Sequence, residues 1–547
     1  MTGRSPRTCG ALLAYSLSAL LLGCGATVST PVSSTTNAVP PGTIKHVVVI
    51  FQENVSFDHY FGTYPTALNL PSESPFTALP GTPAVDGLSQ TLLTNNPNAS
   101  NIRNGAGATN PFRLSPADAA TADQDHQYGP EQFAFDAGAM DLFPLSVGAK
   151  DEADMGSGIL ATTGLTMGYY DGNTVTAIWN YAQHYAISDR FFGTTFGPST
   201  IGAINLISGQ TNGAVNDFNA EGSMISDGHG GFTLFDNADP VNEICAASNS
   251  TALHMTGNNV GNLLNGAGVT WGWFAEGFDL TATNSNGTTG CHRSHTSAIT
   301  KQTPLDYIPY IDPFQYYAST ANPTHARPTS VQMIGLANDG STNHQYDLQD
   351  FFNAVAAGNF PAVSFLKPAT YHDGHAGFSD PLDEQAFLAN TINIIEQIPE
   401  WSSTIIIVAY DDSDGWYDHV NNVINGSATE QDAYTSLGIC GNSATALPGV
   451  NPATLHAQGR CGYGPRLPLL VISPWAKPNY VSHTITDQTS ILRFIEDVFL
   501  NQQRIGQGSY DSIAGSITDM LDFSQTTPQN GQVLLLDETT GQITNAQ

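Results

Sequence analysis

The sequence predicts an α/β fold in which helices cover a mostly parallel central sheet, and three observations lead to it. Near-continuous apolar runs at residues 47–50, 404–410 and 467–472 lack polar alternation, so they read as strands buried on both faces. Helical spacings lie between them. The clearest covers 384–398, with Ala386, Leu388, Ile392 and Ile395 on one side and Pro399 as its stop. The first two runs each end in a polar pair, Glu53-Asn54 and Asp411-Asp412, where strands of an open α/β sheet present their ligand crevice.

Taken in order, the chain begins with an export signal over 1–23. Arg4 and Arg7 precede an apolar stretch from 11 to 22 that is short for a bilayer span. It ends Leu21-Leu22-Gly23-Cys24, which resembles the lipobox of bacterial lipoproteins. That resemblance implies cleavage before Cys24 and a lipid anchor on it; an ordinary secretory signal cleaved near Ala26 is the alternative. Residues 24–43 are uncharged and rich in Ser, Thr, Val and Pro, the composition of a tether. The folded domain is expected over 44–547, in the cell envelope, lipid-anchored or periplasmic, or secreted.

Within that domain, the strand at 44–51 comes first. A Pro-, Asn- and Gly-rich stretch over 64–110 reads as loop, and a helix begins near Glu131. Residues 176–185 have helical spacing and lead through an apolar-aromatic segment, 187–192, to Phe196-Gly-Pro-Ser199. A short helix at 259–264 precedes a strand at 269–274. Further strands are expected at 362–366, 404–410 and 467–472, and a helix at 489–500.

The chain has 547 residues, enough for one large α/β domain with insertions, and 40% of them are hydrophobic. With 16 basic against 48 acidic residues the net charge is −32, which argues against nucleic acid as a partner. An acidic chain suits low pH, where carboxylate protonation relieves self-repulsion. Of six cysteines, Cys9 lies in the signal and Cys24 at the lipobox. The other four permit three pairings, of which the simplest joins sequence neighbours, Cys245–Cys291 and Cys440–Cys461.

Three carboxylates and an amide, Glu53, Asp411, Asp412 and Asn54, are expected on one rim of the sheet. They would repel one another unless a cation neutralised them, so a divalent metal with oxygen ligands is the economical reading. Ser199 lies in a tight turn, Phe196-Gly-Pro-Ser-Thr-Ile-Gly202, as a nucleophile would. The Gly-x-Ser-x-Gly elbow of carboxylic-ester hydrolases is incomplete there, because Ile201 stands in place of the second glycine. His126, after Asp123 and Asp125, and His375, beyond the strand end at Leu366, are placed to hold phosphate oxygens or protonate a leaving group.

These residues resemble a known family. Glu53-Asn-Val-Ser-Phe-Asp-His-Tyr-Phe-Gly62, Asp125-His126, Gly197-Pro198-Ser199, His375, Tyr410-Asp-Asp-Ser-Asp-Gly-Trp-Tyr-Asp-His419 and Arg466-Leu-Pro-Leu-Leu-Val-Ile-Ser-Pro-Trp475 look like the bacterial phosphoesterases, over about 44–523. That group comprises acid phosphatases of the AcpA type and phosphocholine-preferring phospholipases C. The resemblance implies an alkaline-phosphatase-like fold and one divalent ion held by Glu53, Asn54, Asp411 and Asp412. It also implies Ser199 as a nucleophile forming a phosphoserine, with His126 and His375 as phosphoryl-binding or acid groups. Asp412 and Ser199 lean towards the phosphatase branch. The family's usual His pair before Pro313-Phe314 is replaced by Tyr310-Ile311-Asp312, which leaves His325 as the candidate third histidine. Where the family has Tyr-Asp-His, this chain has Thr486-Asp487-Gln488.

The expected activity is hydrolysis of phosphomonoesters. The alternative is a phospholipase C acting on head groups such as phosphocholine, for which Trp271, Trp273, Tyr316 and Tyr317 are candidate choline-binding aromatics unless they belong to the core. An alternative of another class is a non-catalytic surface-binding lipoprotein.

Overall fold

The computed structural model describes residues 38–148, 159–226, 230–247, 250–421, 462–524, 527–528 and 533–546. The signal, Cys24 and the Cys440–Cys461 pairing lie outside them.

A nine-stranded sheet organises the domain: β1 (His46–Gln52), β2 (Ala186–Phe192), β3 (Trp271–Ala275), β4 (Gln345–Asp347), β5 (Val363–Lys367), β6 (Thr404–Tyr410), β7 (Arg466–Ile472), β8 (Tyr480–Ser482) and β9 (Thr486–Asp487). Its order is β4-β3-β5-β1-β6-β7-β2-β8, with β9 also on β2. Only β7 runs against the others. It starts at the rim where β6 ends, so no crossover reverses the chain before it pairs. Pro468, which has no N–H to donate, sits where the β7–β2 register shifts.

The apolar runs are strands because Val, Ile and Phe fill both faces: β1 from Val47 to Gln52 and all of β6 are buried. The helices used below are α1 (Phe57–Phe61), α2 (Tyr128–Phe135), α3 (Thr176–His184), α4 (Ser199–Ser208), α5 (Val260–Ala267), α6 (Leu348–Ala356), α7 (Pro381–Glu396) and α8 (Gln488–Phe499). α7 starts three residues before its apolar spacing, because Asp380 caps the N–H groups of Leu382 and Asp383 and Pro381 takes the first position. Its buried face carries Leu388, Ile392 and Ile395, while Ala386 lies outside it and Glu384 lies inside.

Two further assignments follow. The segment 187–192 is an interior strand, β2, whose buried Asp189 accepts from Asp86 N–H and faces His483. Trp271, Trp273, Tyr316 and Tyr317 are core residues, each at most 2% exposed, and so offer no surface to a choline group. The Cys245–Cys291 bridge is formed and joins residues 46 apart in the sequence. Among the described residues no helix is long and apolar enough to cross a membrane.

Candidate active site at the carboxyl rim of the sheet

β1 and β6 are parallel neighbours with Gln52 opposite Tyr410, so Glu53-Asn54 and Asp411-Asp412 leave the sheet side by side. Hydrogen bonds continue past the strand ends: Asp411 N–H donates to Gln52 O and Val55 N–H to Asp412 O. Asn54 adopts a left-handed conformation, φ 62°, which Asn tolerates better than most residues. Its N–H donates to Asp411 Oδ1 at 3.0 Å. Its side-chain Nδ2 reaches Asp414 Oδ1 at 3.3 Å and His126 Nε2 at 3.4 Å.

These bonds fix the amide so that Asn54 Oδ1 is buried without a donor, and Asp411 Oδ2 is likewise a buried acceptor with none. A buried acceptor without a partner is costly. Burial, together with Asp412 and Glu53, holds the Asp411 carboxyl well above the usual carboxylate range. Burial pushes Asp412 up to about 7, with Glu131 adding to it and His126 opposing. Oxygen donors of this kind, crowded and only partly satisfied, fit a hard divalent cation.

Ser199 opens α4, which follows β2 through a turn at Gly197 with φ 119°. Its Oγ lies 3.5 Å from Asp412 Oδ2. Three contacts place it there. Gly202, one turn on, packs against the Asp411 carbonyl, where any Cβ would overlap the oxygen. Glu131 of α2 accepts from Gly197 N–H at 3.1 Å and from Ser413 Oγ at 2.7 Å, clamping both loops. Gln488, first residue of α8, accepts from Thr194 N–H and donates to Tyr410 O, tying the serine turn to β6. Gln488 therefore has a structural task at the position where the family pattern has histidine.

His126 and His375 meet with ring centroids 5.6 Å apart. Each has Nδ1 against a main-chain carbonyl, Gln124 O at 2.9 Å and Ala376 O at 2.7 Å, so Nδ1 carries the proton in both. Burial lowers the pKa of each; for His126 the carboxylates of Asp412, Asp414 and Asp123 outweigh it and hold the imidazole well above its usual value. For His375 burial wins, and His126 reinforces it. Both histidines line a cavity of about 340 Å³ with Asp123, Asp236, Tyr310 and Phe378, beside Pro198. His126, His375 and Asp414 also bring one ligand atom each within 4.8 Å of one another.

His325 is not brought to this cavity, which corrects its candidacy. Its Nδ1 bonds Phe278 O at 2.8 Å and its Nε2 pairs with Glu243 at 2.7 Å, with the ring stacked on Phe278. Both nitrogens are used and the side chain is fully buried, so it offers no atom to a ligand.

Sequence reasoning missed two further groups. Lys367, the last residue of β5, places Nζ 2.6 Å from Glu53 Oε1 and 3.8 Å from Asp373 Oδ2. Arg466, buried over the Phe57 ring, pairs with Asp58 and Asp418, and His419 adds a 2.6 Å contact to Asp58. Asp58, Asp418 and His419 thus belong to a network that already contains its own cation and fastens the 411–420 loop to α1.

These features define a mixed α/β protein with a carboxylate-rich site at the carboxyl rim of its sheet. The chain belongs to the Phosphoesterase family, which it matches over residues 44–500. It is 23% identical to the non-hemolytic phospholipase C of Pseudomonas aeruginosa over 482 residues, which cover 88% of this chain and 57% of that protein. It is 24% identical to phospholipase C A of Mycobacterium tuberculosis over 495 residues, 89% of this chain and 78% of that protein. A shorter match, 30% identical over 179 residues, is to the non-hemolytic phospholipase C of Burkholderia pseudomallei and covers 31% of this chain and 24% of that protein. The chain thus spans little more than half the length of the Pseudomonas relative.

Proposed function

We propose that this protein is a metal-dependent phosphoester hydrolase with Ser199 as its nucleophile. One observation carries the reading: Ser199 Oγ lies 3.5 Å from Asp412 Oδ2, within a cluster where Asn54 Oδ1 and Asp411 Oδ2 lack donors. Glu53, Asn54, Asp411 and Asp412 would hold one divalent ion. When bound, such an ion supplies positive charge that favours the serine alkoxide and offsets charge on the phosphoryl oxygens.

The residues of the chain do the rest. Ser199 Oγ gives up its proton, for which Asp412 Oδ2 is the near acceptor, and attacks phosphorus. An Oγ–P bond forms as the bond from phosphorus to the leaving oxygen breaks. His126, whose affinity for a proton the surrounding carboxylates raise, supplies the proton that the leaving alkoxide takes up. His375 lines the same cavity wall with its Nδ1 proton fixed on Ala376 O, and it contacts the phosphoryl oxygens through Nε2 once that nitrogen takes up a proton. Water then attacks the phosphoserine: its oxygen bonds phosphorus as the Oγ–P bond breaks, a proton returns to Ser199 Oγ through Asp412, and phosphate, or the phosphorylated head group of a diester, leaves.

Monoester hydrolysis is the reading that Ser199 and Asp412 favour by resemblance. A phospholipase C reading has its own support: Asp123, Asp125 and Asp236 line the cavity with Tyr310 and Phe378, an acidic and aromatic wall suited to a cationic head group. The names of the relatives point the same way. The test compares p-nitrophenyl phosphate with p-nitrophenyl phosphorylcholine, with and without chelator. Chelator-sensitive turnover of the monoester alone fits a phosphatase, comparable or faster diester cleavage fits a phospholipase C, and no turnover of either with any added divalent ion contradicts the hydrolase reading. We also infer export with a lipid on Cys24, which the mass of the mature N-terminal peptide checks.

A further inference from the structure

Lys367 is the one lysine or arginine found among the candidate metal ligands in the described residues, and its position is unusual for a surface-preferring side chain. It ends β5, and its backbone is fixed against β3: it pairs with Ala275, and its carbonyl accepts Glu276 N–H at 3.0 Å. Its side chain is 3% exposed. The ammonium lies 2.6 Å from Glu53 Oε1 and 3.8 Å from Asp373 Oδ2, ion pairs by distance, and makes no hydrogen bond of good geometry to either or to any other group. A buried lysine is expensive unless it neutralises something. Here it faces the one glutamate of the proposed ligand set.

The charge count gives this a consequence. Counted over the proposed ligands and Lys367 alone, Asp373 left aside, Glu53, Asp411 and Asp412 carry three negative charges when ionised; one ammonium leaves two, which a single divalent ion balances. We propose that Lys367 is a built-in counter-cation and positioning residue: it holds Glu53 in place when no ion is bound, and it weakens the hold of the site on the ion to that of a neutral, exchangeable unit. This rests on the metal-site reading above. It adds that the affinity of the site is set as much by a lysine outside the ligand set as by the ligands.

Lys367→Met and Lys367→Arg test it, with metal-free protein titrated with Mn²⁺ and, in parallel, with Ca²⁺. Lys367→Met is expected to melt lower than wild type when metal-free and to bind the ion at least tenfold more tightly. Lys367→Arg keeps the charge and is expected to stay within a few-fold of wild type. Because Lys367→Met leaves Glu53 buried and unpaired, the Glu53→Gln/Lys367→Met double variant is included. With both charges removed, its metal-free melting temperature is expected to exceed that of either single variant. Unchanged metal-free stability together with unchanged or weaker ion binding in Lys367→Met would overturn the proposal, as a lysine that only contacts substrate would give that result. A double variant no more stable than the worse single one would overturn it as well. Failure of Ser199 as nucleophile would leave these stability and affinity readouts untouched, whereas a wild type that binds no ion would remove both readings.

Discussion

Gln52 and Tyr410 sit opposite each other at the ends of two parallel strands, and this pairing decides where the chemistry can lie. One residue further on, Glu53 and Asp411 emerge together, and Asn54 N–H bonds the Asp411 carboxylate across the gap. The sheet thereby turns two polar pairs, far apart in sequence, into one buried cluster.

Asp411→Asn should abolish stoichiometric binding of a divalent ion and the rise in melting temperature that the ion produces. Ion content by elemental analysis and melting with and without ion check this together. An unchanged stoichiometry would mean that the cluster is not the ion site.

Gly202→Ala should act at a distance from the reacting atoms. Its new Cβ would overlap the Asp411 carbonyl oxygen, so α4 must shift and carry Ser199 with it. We expect a loss of about 2 kcal/mol in stability and of roughly 10²-fold in kcat/KM. Denaturant melts and steady-state kinetics measure the two separately.

His325→Asn should damage the fold and spare the reaction. The change leaves the carboxylate of Glu243 without the ring nitrogen that it pairs with at 2.7 Å. A loss of about 3 kcal/mol follows, with kcat unchanged in protein that remains folded. A large fall in kcat at unchanged stability would return His325 to the active site.

The network around Arg466 predicts a pH dependence of stability. Burial alone would lower the pKa of His419, but Asp58 and Asp418 raise it to about 9. A raised folded-state pKa means that the proton is bound more tightly in the native protein. The stabilisation is therefore full below the unfolded value, about 6.5, and is lost as the pH rises through about 9. Its size is on the order of 2–3 kcal/mol. Buried carboxyls with raised values, such as Glu384 at about 7, lose stability in the same direction, so the test is a difference. His419→Asn should be less stable than wild type near neutrality, and the two should converge in alkaline solution.

The rim was legible in the sequence because a long apolar strand carries its last residues to the edge of the core, and charges placed there must meet a ligand, a cation or water. The Cys245–Cys291 bridge was legible for a similarly local reason, neighbouring cysteines, and the tight Gly-Pro turn marked the loop that sets Ser199 beside the rim. What escaped was non-local. β2 hides behind Ser188, Asp189 and Arg190, polar residues that an interior strand accepts because Asp86 and His483 lie against them. The tasks of Glu131, Lys367 and Gln488 had no local signature, since each acts on a group brought to it by the fold. His325 failed for the opposite reason: a histidine in a loop gave no sign that Glu243 would claim it.

Ser199 is expected to become phosphorylated during turnover, and acid quenching at steady state followed by mass analysis of the peptide containing Ser199 measures this most directly. One phosphoryl group is expected on Ser199 in the wild type. None is expected in Ser199→Ala, whose hydrolysis falls ~10³-fold or more while its fold and ion content stay as they were. A Ser199→Ala protein that hydrolyses phosphoesters at the wild-type rate would contradict this role for Ser199.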